Sequence, residues 1–163
     1  MDRVVAQISQ TLDWEYLIAL ESSLTVRGLI NGKVQAELDR HAHTLARRYL
    51  LKKAKLGNGP FSAVEEEILD VLATAVAALR RTRQLPHNII KSLRAGGLIA
   101  AVQRSVCHSG VLQCRTDFEA DGIARGTFEA IVNRHPSAFD AETINIARLQ
   151  SAMPVQEPLQ AVS

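Results

Sequence analysis

The sequence predicts an all-α fold, a single-domain helical bundle of six to eight helices around a central buried helix at residues 62–83. Three observations predict it. The stretch SAVEEEILDVLATAVAALRRTR, Ser62 to Arg83, has helix signals at both ends. Ser62 followed by Glu65 reads as a capping box, with acids in the first turn and Arg80, Arg81 and Arg83 at the end, as the helix dipole favours. Between Asp70 and Arg80 nearly every residue is apolar. A helix apolar on all sides is normally surrounded by others. Finally, only residues 111–115 read as a strand, and nothing pairs with them.

The other helices follow in chain order. Val4, Val5 and Ile8 support a short helix over residues 2–10. Thr11 can start a second, whose Trp14, Leu17, Leu20 and Leu24 fall at steps of three and four. Gly28 and Asn31-Gly32 are stop signals. Lys33 to about Lys55 is the clearest amphipathic helix, with Val34, Leu38, Ala42, Leu45 and Tyr49 on its apolar side. GNGP at 57–60 ends it. Beyond the central helix, Pro86 suits a first helical position, so a short helix runs to Arg94. Ala95-Gly96-Gly97 breaks it, and LIAAVQRSVC resumes the pattern until Ser109-Gly110. Thr116 with Glu119 is a second capping box. Thr127 caps FEAIVNRH, which Pro136 ends, and Asp140 caps a last helix over AETINIARLQSA. Domain organisation reads as one helical domain, 1–152, and a mobile C-terminal tail, 153–163, which carries Pro154 and Pro158.

Composition bounds the function classes. The chain of 163 residues is 47% apolar, enough for its own core, but only 4% aromatic, so that core is Leu, Ile, Val and Ala. Two cysteines, Cys107 and Cys114, are too few for a disulfide scaffold, and a cytoplasmic location is expected. MDRVVAQISQ does not read as a signal peptide. The apolar stretch at 71–79 is well short of the ~20 residues that a bilayer span requires, so no membrane association is expected.

The net charge of +2 says little, but its distribution says more. Arg40, Arg47, Arg48, Lys52, Lys53 and Lys55 lie in a stretch without an acid. A second acid-free stretch runs from Arg80 to Arg94 and includes Arg81 and Arg83. If the two converge, they form a surface for phosphates. Residues 117–136 have the outline of a helix-turn-helix, with Thr127, Asn133, Arg134 and His135 as reading side chains, although Gly122 and Gly126 interrupt it. Cys107, His108 and Cys114 lack the paired spacing of a zinc site, so no metal or other cofactor is expected. His41 with Glu37, and His87 with Arg81, are the acid/base pairs a small helical nuclease could use. No nucleophile or phosphate cradle accompanies them, and no catalytic residue is assigned.

The first functional reading is therefore a non-enzymatic interaction or regulatory protein. It would associate with itself, as a homodimer or larger homo-oligomer, or with a protein partner through the apolar stripes of 14–24 and 34–49. The alternatives are a nucleic-acid-binding regulator using the basic helix faces and a small helical nuclease.

Overall fold

The computed structural model describes residues 2–112 and 114–152, so the expected tail at 153–163 lies outside the described residues. Within them the chain is all-α, with nine α-helices, one 3₁₀ turn and no strand. Helices α1 (Asp2–Ser9) and α2 (Trp14–Val26) are separate. Asp13 ends the link between them by accepting from Tyr16 N at 2.8 Å as the cap of α2. Asn31 caps α3 (Gly32–Lys53) in the same way, through Val34 N at 2.9 Å.

Helix α4 (Ala63–Arg81) is the central element. Its capping box forms as expected: Ser62 Oγ accepts from Glu65 N at 3.3 Å, and Ser62 N donates to Glu65 Oε1 at 3.1 Å. α3 and α4 make an antiparallel hairpin, with Arg47 beside Glu66, His43 beside Asp70 and Asp39 beside Arg81. α2 lies against both. On its other sides α4 meets α6 (Gly97–Leu112) and α8 (Thr127–Arg134). Ile68, Leu69, Leu72, Ala73 and Val76 are fully buried as a result. The sheath is not complete. Asp70, Thr74 and Ala78, one row at four-residue steps, are exposed.

The remaining helices close the second half. α5 (His87–Arg94) packs on α6 and on the single turn of α7 (Asp117–Ala120). Thr116 and Glu119 form the second capping box. α9 (Ala141–Ala152) packs on α6 and α8 and is capped by Asp140, whose Oδ1 accepts from Thr143 N at 2.8 Å.

Three local readings are corrected. Val111 and Leu112 do not start a strand; α6 runs through Ser109-Gly110 and includes both. Gly110 does not stop that helix. It allows α9 to come close, since a Cβ there would lie 2.2 Å from Ile146 Cγ2. Thr127 is not the cap of α8. Gly126, at φ 89°, precedes the helix, and Thr127 is its first residue.

Candidate anion-binding face at the ends of α3 and α5

The ten cations and amides singled out from the sequence separate into two groups. In the first, each side chain is held within the fold. Arg40 hydrogen-bonds Glu37 one turn before it, with Nε donating at 3.1 Å. Arg47 donates twice to Glu66, at 2.6 and 2.9 Å, and its guanidinium lies over the Phe61 ring. Arg81 bridges three helices, donating to Glu21 on α2 at 2.8 Å and to Asp39 on α3 at 2.6 Å. Arg83 donates to Glu15 at 2.7 Å. Asn133 donates to Ser151 Oγ at 2.7 Å, and Arg134 pairs with Glu67.

The carboxylates register these partners. The hydrogen bond from Arg47 lowers the Glu66 pKa. Burial alone would raise Asp39, yet hydrogen bonds from Arg81 and Gln35 hold it below its ordinary value. Glu67 is likewise lowered, with burial outweighed by Arg134 and His135.

The second group is Arg48, Lys52, Lys53 and Lys55. All are exposed, and among the described residues their side chains have no hydrogen-bond or ion-pair partner. Lys91 on α5 shares this property. α3 ends at Lys53 and α5 ends at Arg94, and the two ends meet. Arg94 Nε donates to the main-chain oxygen of Lys53 at 2.7 Å, which holds that guanidinium against the last turn of α3. The two acid-free stretches therefore do converge, through their late residues Lys53, Lys55, Lys91 and Arg94. Sequence reasoning passed over Lys91 and Arg94 as individual site residues.

Two open clefts flank Arg94. One, of about 390 Å³, lies between it and Lys55, with Gly96 and Gly97 in its wall. The other, of about 380 Å³, has Lys53, His87, Lys91 and Arg94 at its edge. Tyr49, Leu85, Pro86 and Ile90 supply the apolar lining of that second cleft. Neither lining contains an acidic residue. Both clefts are shallow and open to solvent rather than enclosed. By contrast, the cavity beside Ser109 and Glu129 is about 10 Å³, room for one water.

Backbone geometry adds a detail. Lys55 follows the cap of α3 with φ 56°, and Leu56 N donates to Leu51 O at 3.1 Å, which makes a Schellman end. Glycine normally takes that position, and a side chain there costs about 1–2 kcal/mol. Arg83 holds the same position after α4, at φ 61°. Arg83 is answered by Glu15, whereas Lys55 is not answered among the described residues.

The other candidate sites are placed as follows. His41 is 7% exposed, and its Nε2 lies 2.6 Å from the main-chain oxygen of Thr11. Glu37 accepts from Ser9 and Arg40 instead. Arg81, in its double bridge, does not line the cleft that His87 enters. In the helix-turn-helix outline, α7 has four residues. His135 Nε2 lies 2.6 Å from Glu67, and Thr127 Oγ1 donates to Ala124 O. Cys107 contacts Thr143, while Cys114 Sγ lies 2.9 Å from His108 Nε2. Among the described residues no group of three or more potential metal ligands is gathered. No helix among them is long and apolar enough to cross a membrane. Comparison with protein-family models, curated proteins and solved structures returned no match.

Proposed function

We propose that this is a binding protein that engages the phosphate backbone of a nucleic acid through the joined ends of α3 and α5. One contrast supports the reading. Cations at the ends of α4 and α8, Arg81 and Arg134, are answered by carboxylates. Lys53, Lys55, Lys91 and Arg94 are not, among the described residues. The helix dipole explains cations at a helix end. It does not explain a cleft rim on which cations from two helices gather with no acid between them. Unpaired cations held apart by a rigid frame are what a row of phosphates requires.

The test is titration of the protein with labelled oligonucleotides across a salt series. Affinity should fall steeply with salt, and Lys53→Glu with Lys91→Glu should weaken binding on every sequence alike. Absence of binding at low ionic strength eliminates the reading.

Self-association is the second reading. The stripes of 14–24 and 34–49 expected to carry it are buried in the chain's own core. It rests instead on the exposed Val111 and Leu112 at the end of α6 and the exposed Leu149 on α9, the helix that crosses α6 at Gly110. Sedimentation over a range of concentrations tests it, and a monomer throughout removes it.

A further inference from the structure

The face sets a cationic rim beside an exposed apolar side chain, Leu85, and a duplex and a single strand differ in what they can offer to each. A duplex presents phosphates outward and keeps its bases stacked inside. A single strand presents both, and proteins that hold one combine cations along the backbone with side chains that cover the bases, aromatic ones by stacking and aliphatic ones by apolar contact alone. Here the cationic rim of Lys53, Lys91 and Arg94 borders an apolar floor. Leu85 is 47% exposed there, the half-buried Ile90 continues the floor over the buried Pro86, and the half-buried Tyr49 closes it from α3. The exposed apolar residue, Leu85, belongs to one side of Arg94. On the other side the cleft beside Lys55 combines Lys55 and Arg94 with two glycines and with Leu56, Ala54 and Leu93, of which the last two are buried. Arg94 sits at the junction, with Nε fixed on Lys53 O and its terminal amino groups free among the described residues.

We infer that the face takes a single-stranded nucleic acid, with a base against Leu85 and the half-buried Ile90 and the flanking phosphates at Lys53, Lys91 and Arg94 and at Lys55. His87, exposed at the rim, offers an imidazole edge or face to the same base. This rests on the reading of the face as a phosphate-binding surface.

The experiment uses the whole chain, a labelled single-stranded oligonucleotide and the duplex of the same sequence, with poly-glutamate as competitor. The single strand should bind more tightly than the duplex and resist displacement by poly-glutamate. Leu85→Ser should weaken single-strand binding by roughly fivefold, the loss expected when about half of a leucine side chain is no longer covered, and leave duplex binding unchanged. Lys53→Glu with Lys91→Glu should weaken both. All three changes are at exposed or rim positions, and a far-ultraviolet spectrum and melting curve confirm that each variant is folded. A duplex that binds as well as the single strand, or a Leu85→Ser variant that binds it normally, overturns the inference and leaves the phosphate reading standing. Displacement by poly-glutamate at equal charge overturns both, as does failure to bind either oligonucleotide.

Discussion

Lys55 is the residue at which stability and the proposed function pull apart. Its left-handed conformation carries a strain of about 1–2 kcal/mol that glycine would not have. Lys55→Gly should therefore raise the unfolding midpoint, by about 1 kcal/mol in chemical denaturation, and weaken oligonucleotide binding. Arg83→Gly makes the control. It relieves the same conformation but breaks the pair with Glu15, so its gain should be smaller. Glu37 gives a second prediction at this scale. Hydrogen bonds from Arg40 and Ser9 lower its pKa from 4.5 to about 2. The folded chain thus binds this proton less readily than the unfolded chain, and ionisation favours folding. That contribution is complete above pH 4.5 and is lost as the pH falls towards 2. Asp39, Glu66 and Glu67 act with the same sign. Melting temperature measured by circular dichroism should drop through this window, and Glu37→Gln should make the drop shallower.

Among the elements, the α6–α9 crossing is the least tolerant of change. Gly110 lets the two helices approach so closely that a methyl group would collide with Ile146 and Gln150. Gly110→Ala should destabilise by about 1–3 kcal/mol, although alanine is the better helix former. A denaturant midpoint equal to or above that of the parent would show that the helices separate freely. The core of α4 gives the matching large-to-small case. Leu72 is fully buried, and Leu72→Ala should cost about 2–5 kcal/mol by the same measurement. Local signals made much of this level legible. Ser62 with Glu65 and Thr116 with Glu119 are capping boxes that need only four residues of sequence, and both formed. Gly110 was misread because glycine ends helices and also lets them touch, and only the partner helix distinguishes the two uses. For the same reason the residues after Ser109 looked like a strand: apolar residues in so short a run have no period.

At the scale of the molecule, the legible part was the central helix and its place among neighbours; of the face, the basic residues such as Lys53 and Lys55 were legible, but not which of them stay unpaired or that the two stretches meet. Which cations are free depends on pairs far apart in the chain: Arg81 meets Glu21 sixty residues earlier, and Arg134 meets Glu67 sixty-seven earlier. Nothing near Arg81 or Arg134 in sequence distinguishes them from Lys53 or Lys91. The contact that joins the two basic stretches, Arg94 with Lys53 O, spans forty-one residues. A salt series therefore tests the folded arrangement rather than the composition. Lys53→Glu with Lys91→Glu should reduce the slope of affinity against salt. Arg40→Gln, equally basic and exposed in sequence terms, should leave the slope unchanged.

The guanidinium of Arg80 lies 6.0 Å from the ring of Trp14 and 5.7 Å from that of Tyr49, which closes the apolar floor. Trp14 is the chain's single tryptophan. An indole, a cation and a phenol in series make a built-in optical probe of the cleft. Unlabelled oligonucleotide arriving at Tyr49 should alter the ultraviolet-excited emission of Trp14 in proportion to occupancy, and Arg80→Leu should uncouple the light from the ligand.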